Sequence, residues 1–367
     1  MHGRIASVDV LRGLTMAAMV VVNNPGSWAH MAPGLRHAPW GAVPTPADFV
    51  FPFFLVLVGV STPLALRRRI AQGQPTSALL ARATRRALTL AAIGILLNLF
   101  PGFDLATVRL PGVLQRIALV SLACAAAFLW LRPRSILGLI ALLLVGYTLI
   151  LRLVPVPGLG VPTLTPAAHL PAWLDDRVFG AHTWRGPGDP EGLLSSLGAV
   201  ATGLIGVLAG TVLAGRWTPR QQAGRLLGGG AATLAAGAAS TLMVPLAKDV
   251  WTASYALVTG GAALLALGGL QLWLGARGDP SPGPVLRASE LFGRQALLAY
   301  VLAHLLSDVT ISVLRWPGGS LHALVYRGLL ASWLPDVAAS LVFSLLMLAA
   351  VWGLVAWAER RGWRLRT

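Results

Sequence analysis

Residues 37–61 read HAPWGAVPTPADFVFPFFLVLVGVS, a polar turn that passes directly into a long apolar run. The apolar part, taken as 47–66, has the length of about 20 residues that a helix needs to cross a bilayer. The turn before it places a histidine, a tryptophan and an aspartate within a dozen residues. This stretch predicts a membrane-spanning helix whose entrance carries a site for handling protons.

The rest of the chain repeats the apolar pattern. Of its 367 residues 56% are hydrophobic and 11% charged, and the mean hydropathy is +0.71. These values predict an all-α polytopic membrane protein. Ten spans are expected, at 5–23, 47–66, 84–100, 113–131, 135–154, 191–214, 224–245, 251–274, 289–307 and 334–358. An eleventh, short or re-entrant, stays open within 308–330, where Pro317, Gly318 and Gly319 interrupt the pattern.

The net charge of +16 is distributed as in a membrane protein. Arginines cluster at the ends of the apolar segments, and ten spans with both termini in the cytoplasm place 20 of the 29 lysines and arginines inside. The His37 stretch then faces away from the cytoplasm, in a bacterial-type inner membrane. The charge therefore predicts orientation in a membrane and contact with its lipids, and no nucleic-acid partner.

Other classes of protein are disfavoured. The single cysteine, Cys124, excludes a disulfide framework, and the N-terminus lacks the pattern of a cleaved signal peptide. No nucleotide-binding loop and no metal-type spacing occurs, so neither ATP hydrolysis nor a metal is expected. We expect one domain, 1–367, with the long outer loop 155–190 as a substrate-side insertion.

Gly206 and Gly210 predict close helix packing.

Polar residues within the predicted spans need an explanation, because burying them in a membrane is costly. Arg12 either pairs with Asp9 at the helix end or also holds an anion such as a phosphate. Asn23 either caps the end of the first span or belongs to a functional site. Gln115 and Arg116 either reach towards the membrane surface or line a cavity.

Several blocks resemble the heparan-α-glucosaminide N-acetyltransferase family of transmembrane acyltransferases, and most closely its short bacterial members. The blocks are SVDVLRGLTMAAMVVVNNPGSW (7–28), HAPWGAVPTPADFVFPFFLVLVGVS (37–61), RLPGVLQRIAL (109–119), DPEGLLSSLGAVATGLIGVLAG (189–210), KDVWTASYALVTGG (248–261) and GRQALLAYVLAHLL (293–306). They cover most of the chain in the family's order. One departure is Gln295, where family members commonly carry asparagine.

The resemblance implies transfer of an acetyl group from cytosolic acetyl-CoA to a sugar amine beyond the membrane. In it, His37 corresponds to the catalytic histidine and Asn23 to the asparagine that works with it. The residue chemistry agrees, since His37 can accept the amine's proton, Asn23 can donate to an oxyanion and Asp48 can orient the imidazole. A covalent acetyl-histidine route stays open.

Further site residues follow from where the two substrates must lie. Near the cofactor, acetyl-CoA, we expect Arg12, Gln115, Arg116 and Arg294. Near the acceptor, a small molecule or glycan, we expect Trp40, Asp189, Glu191, Lys248 and Trp251. Asp189 and Glu191 have the alternative of capping a helix start.

Two alternative functions and one question of assembly stay open. The polar residues would also suit a carrier for a sugar or sugar derivative. The same base would also serve acyl transfer to a sugar hydroxyl. A homodimer is neither required nor excluded by the sequence.

Overall fold

The computed structural model describes residues 5–184, 188–277 and 283–363, and only the backbone of residues 276 and 277. This part of the chain is a bundle of helices. The helices are Ala6–Asn23 (α1), Pro46–Ala71 (α2), Thr76–Leu99 (α3), Val113–Trp130 (α4), Pro133–Leu153 (α5), Leu170–Phe179 (α6), Ser195–Leu213 (α7), Pro219–Ser240 (α8), Ala253–Arg277 (α9), Pro284–Arg294 (α10), Ala296–Asp308 (α11), Leu321–Ala323 (α12) and Asp336–Arg360 (α13).

Shorter elements occupy the connections. Two antiparallel hairpins pair Leu164–Thr165 (β1) with Ala168–His169 (β2), and Arg315–Trp316 (β3) with Gly319–Ser320 (β4). Pro33–Leu35 and Gly180–His182 form 3₁₀ turns, and Val309–Val313 and Leu324–Leu330 are π-helical. The interrupted segment 308–330 is therefore folded as short helical pieces around a hairpin.

Eight helices in the described residues are long and apolar enough to cross a membrane. They overlap eight of the ten predicted spans, so the prediction of an all-α polytopic membrane protein is confirmed. The predicted spans 84–100 and 224–245 overlap α3 and α8, which are long enough but less apolar. The total number of spans and the side on which the termini lie stay predictions.

The predicted span 289–307 is wrong in its bounds. A break at Gln295 separates α10 from α11, and the apolar span runs instead over Ala296–Val313. Gln295 has non-helical backbone angles, and its buried side chain donates to the Glu359 carboxylate and to the carbonyl of Trp363. The residue that departs from the family pattern thus ties this break to the end of α13.

The centre of the bundle is the contact of α2 with α7. A Cβ added at Gly59 would lie 1.9 Å from the carbonyl oxygen of Gly203, and one at Gly206 would lie 2.0 Å from that of Val56. At Gly210 the corresponding distance to the Val60 oxygen is 2.4 Å. Because only glycine lets two helix backbones approach this closely, the predicted role of Gly206 and Gly210 in close packing is confirmed.

The first half of α2 is also where the polar turn meets the bundle. Pro46 occupies the first helical turn and Thr45 precedes it, with a reciprocal capping pair between Thr45 and Asp48. Proline suits this position because its missing N–H would have no partner there. The helix therefore begins at a fixed residue, which places Asp48 one turn inside, beneath the loop that carries His37. We call this end of the bundle the His37 end.

Candidate active site

His37 is positioned by the loop 24–45 between α1 and α2. Arg36 donates from Nε to the carbonyl oxygen of Met31 (2.9 Å) and from Nη2 to that of Ala29 (2.8 Å). The Thr45 hydroxyl donates to the Arg36 carbonyl at 2.6 Å. These bonds fold the loop back over the start of α2, so the imidazole of His37 lies against Asp48 with its side chain 44% exposed.

Asp48 is a buried carboxylate whose two oxygens contact different partners. Its Oδ1 lies 2.8 Å from Nδ1 of His37. Its Oδ2 accepts the backbone N–H groups of Ala38 (2.9 Å) and Thr45 (3.0 Å). A carboxylate on Nδ1 assigns the proton to that nitrogen and leaves the lone pair of Nε2 available as a base. The structure thus brings together the two residues that sequence analysis paired.

Lys248 approaches the same imidazole from the connection between α8 and α9. Its Nζ lies 2.9 Å from each ring nitrogen of His37 and 3.7 Å from Oδ1 of Asp48. Burial lowers the pKa of Lys248, while the charges of Asp48, Glu191 and Asp249 act in the opposite direction. The connection is held by the hydroxyls of Thr252 and Ser254, which both donate to the Pro245 carbonyl oxygen at 2.8 Å.

These groups share one cleft of about 90 Å³. The polar and aromatic residues of its wall are His37, Trp40, Asp48, Lys248, Asp249 and Tyr255. Tyr255 donates to the backbone carbonyl of Asp48 at 2.6 Å, which fixes α9 against α2. The cleft thus contains an imidazole, two carboxylates and an ammonium group.

Trp40 connects the cleft with the long outer loop. Its ring stacks on that of His169, with centroids 5.6 Å apart and planes inclined by 25°. His169 is buried, its Nδ1 accepts the backbone N–H of Ala172, and burial lowers its pKa. Trp40 therefore lines the cleft and is supported by the outer loop, and its contact with an acceptor stays a prediction.

Asp189 and Glu191 are both engaged by Arg109, which precedes α4. Asp189 accepts from Arg109 Nε at 2.8 Å and from the backbone N–H of Trp184 at 2.8 Å, and Glu191 also pairs with Arg109. Burial alone would raise the pKa of Asp189, but the hydrogen bonds and charge of Arg109 outweigh it and hold the pKa below its usual value. In this arrangement the two carboxylates fasten the end of the outer loop to the bundle.

Arg116 and Trp251 lie inside the bundle, with 2% and 1% of their surface exposed. The guanidinium of Arg116 lies over the Trp251 ring, 5.2 Å from its centroid, and contacts the Ser195 hydroxyl and the carbonyl of Gly192. The Trp251 indole donates to Thr202 at 3.0 Å. Both residues therefore pack the wall behind the cleft, and neither reaches its surface. Gln115 lies beside Gly94 and Gly112, between α3 and α4.

Three further predicted residues lie away from the cleft. Arg12 donates to Asp9 (2.9 Å), to the carbonyl of Gly293 (3.2 Å) and to the hydroxyl of Ser61 (2.8 Å), which ties α1 to α2 and α10. Arg294 ends α10 and is exposed. Asn23 ends α1 with an exposed side chain and does not line the cleft. Their roles with acetyl-CoA and with His37 stay predictions.

Three residues of the site, Asp249, Tyr255 and Arg109, were not predicted from the sequence. Asp249 and Tyr255 lie one and seven residues after Lys248 in the block KDVWTASY, and could have been singled out as further polar residues of that block. Arg109 opens the block RLPGVLQRIAL, but nothing in the sequence links it to acids 80 residues later.

Fold and cleft together define a multi-pass helical membrane protein with a histidine–carboxylate pair at one end of its bundle. Residues 4–173 match the sequence model of a family described as heparan-alpha-glucosaminide N-acetyltransferase, catalytic. The matched region contains His37 and Asp48 but ends before Lys248. The resemblance predicted from the sequence blocks is therefore confirmed.

Two curated relatives carry the same name. The human protein (Homo sapiens), heparan-alpha-glucosaminide N-acetyltransferase, is 29% identical over 262 residues, which are 57% of this chain and 38% of that protein. The mouse protein (Mus musculus) of that name is 28% identical over 263 residues, 57% of this chain and 39% of its own length. The aligned part thus spans less than two fifths of either relative.

Proposed function

We propose that the chain is a transmembrane acetyltransferase. It transfers the acetyl group of cytosolic acetyl-CoA to the amino group of a sugar or glycan beyond the membrane, in a bacterial-type inner membrane. The observation that carries this proposal is the contact of His37 with buried Asp48 in a cleft at the end of an apolar bundle. The acetyltransferase names of the relatives support the same reaction class.

The chemistry follows from the tautomer that Asp48 favours. The acceptor nitrogen attacks the acetyl carbonyl carbon, a C–N bond forms, and Nε2 of His37 takes the proton that leaves the amine. The tetrahedral oxyanion then collapses, the C–S bond breaks, and the thiolate of CoA receives the proton from the imidazolium. Asp48 stays ionised throughout and holds the ring in place.

The test uses the full-length protein in detergent, with acetyl-CoA and glucosamine as substrates and release of the CoA thiol as the measurement. His37→Ala should lower turnover by about 10²–10⁴-fold, the range of general-base catalysis, while acetyl-CoA still binds. His182→Ala is the matched control, because this histidine lies on the outer loop and contacts the carbonyl of Val108 outside the cleft. Its activity should be unchanged.

Retention of most activity in His37→Ala would contradict the assignment of the base. A wild-type protein that binds acetyl-CoA but transfers no acetyl group to any amino sugar would contradict the proposed reaction.

A further inference from the structure

We propose that Lys248 is a catalytic residue whose ammonium group stabilises the oxyanion formed when the acceptor attacks the acetyl group. This inference rests on the proposed function and adds to it a residue outside the matched region 4–173. It is carried by the placement of Nζ at 2.9 Å from both ring nitrogens of His37, in the same cleft.

The ammonium group is close to the imidazole of His37 but is not aligned for a hydrogen bond to either of its nitrogens. The lone-pair directions of the two imidazole nitrogens diverge in the ring plane, so a donor equidistant from both points in line at neither. Oδ1 of Asp48 faces His37, and Oδ2 accepts from Ala38 and Thr45. At 3.7 Å, Oδ1 is an ionic neighbour of Lys248 rather than a hydrogen-bond acceptor. The N–H groups of Lys248 can therefore turn towards a new acceptor in the cleft.

The reaction geometry places that acceptor within reach. In the tetrahedral intermediate the attacking nitrogen and the oxyanion are bonded to the same carbon. A nitrogen that gives its proton to Nε2 must lie within about 3 Å of it. The oxyanion is only two bonds away from that nitrogen, so it also forms close to Nε2. Oxyanion donors act at about 2.7–3.1 Å from that position. A flexible lysine whose Nζ contacts Nε2 satisfies this requirement.

The cleft offers few other donors for this charge. Tyr255 already donates to the carbonyl of Asp48, and the Trp251 indole donates to Thr202 inside the bundle. Asn23, which sequence analysis assigned to the oxyanion, does not line the cleft. Among the described residues that line it, Lys248 carries the positive charge suited to a developing negative one.

A cation in this position also gives the reaction a distinctive pH dependence. Lys248 faces His37 from the loop, Asp48 from α2, Glu191 from the segment before α7, and Asp249 from its own connection. Burial lowers its pKa against the opposing effect of these acids. Activity should therefore fall at alkaline pH as Lys248 loses its proton.

The decisive experiment restores the charge chemically. In a Cys124→Ala background, which removes the buried native thiol, Lys248→Cys is prepared in the full chain. We expect its turnover of acetyl-CoA with glucosamine to fall by about 10²–10³-fold, the effect of losing one oxyanion donor. Treatment with 2-bromoethylamine rebuilds a lysine-like ammonium and should restore at least a tenth of the activity. Iodoacetamide, which adds a neutral group, should restore none.

Two results would overturn the role of Lys248. One is turnover within a few-fold of the Cys124→Ala parent. The other is a variant that still binds acetyl-CoA but regains no more activity with bromoethylamine than with iodoacetamide. The conservative Lys248→Arg variant gives an independent reading, because its alkaline limb should move to higher pH. A parent protein without acetyl transfer would overturn the proposed function itself, before any variant is compared.

Discussion

At the scale of single residues, one carboxylate both caps a helix and contacts the proposed base. Asp48 completes the capping pair that starts α2 and also binds Nδ1 of His37. Its second oxygen accepts two backbone N–H groups, so the carboxylate cannot rotate without losing the helix cap. The orientation of the base is thereby set by the same bonds that fix where the helix begins.

A second buried carboxylate, Asp175 on α6, holds the end of the outer loop. Its Oδ1 accepts the backbone N–H of Leu193 at 2.9 Å, and its Oδ2 faces the N–H of Asp189 at 3.4 Å. Burial raises its pKa from 3.8 to about 6, against the lowering effect of these hydrogen bonds. Because the folded value exceeds the unfolded one, its contribution to stability is present below pH 3.8 and is lost as the pH rises through about 6.

Asp175→Asn should therefore change how stability depends on pH. The rise in pKa corresponds to about 3 kcal/mol, so the variant should gain up to that amount relative to wild type between pH 4 and pH 7. Melting temperatures of both proteins in detergent across this range, followed by tryptophan fluorescence, test it. A difference in melting temperature that stays constant with pH would contradict the expected ionisation of Asp175.

At the scale of elements, the α2–α7 contact sets the frame on which the site is built. The carbonyl groups of one helix face the glycines of the other, at Gly59, Gly206 and Gly210. Inside a bilayer such packing replaces the hydrophobic effect as the main attraction between helices. Since Asp48 lies at one end of α2 and Glu191 just before α7, the contact also fixes the distance across the His37 end.

Gly206→Ala should destabilise this contact by about 1–3 kcal/mol or more, because the new Cβ would lie 2.0 Å from the Val56 oxygen. Gly228→Ala on α8 is the matched control, since nothing lies within 4 Å of a Cβ there. That substitution should be neutral or stabilising by up to about 1 kcal/mol, as is usual for alanine in a helix. Melting temperature and the yield of monodisperse protein measure both. Equal behaviour of the two variants would show that the helices are not in close contact.

At the scale of the whole molecule, hydrogen bonds join segments that are distant in sequence at both ends of the bundle. Gly41 donates to the carbonyl of Leu246, and Leu110 to that of His182, at the His37 end. Arg67 donates to the carbonyl of Ala214 at the other end. The two ends of the bundle are thus distinct, and the arginine clusters predict that the His37 end lies outside the cytoplasm.

Single cysteines can test that orientation in a Cys124→Ala background. A cysteine at position 176, on the exposed face of α6, should react with an impermeant thiol reagent in intact cells. One at position 68, exposed at the other end, should react only after the cells are opened. Labelling of position 68 but not of 176 in intact cells would reverse the proposed topology.

The sequence by itself determined what depends on local pattern. Hydropathy marked eight of the spans, because crossing a bilayer requires about 20 apolar residues in a row. The proximity of His37 and Asp48 was also predictable, since only one short turn separates them. The break at Gln295 was not, because a buried hydrogen bond to Glu359, 64 residues away, stabilises it.

Only the tertiary structure decided which distant groups share the cleft. Lys248 contacts His37, which is 211 residues away in the sequence. Arg109 binds Asp189 and Glu191, which follow it by about 80 residues. The same packing buries Trp251 in the core and leaves Trp40 at the cleft. Such contacts depend on how helices are rotated and spaced against one another. That arrangement is set by steric packing at positions such as Gly206, and the local pattern of the sequence does not contain it.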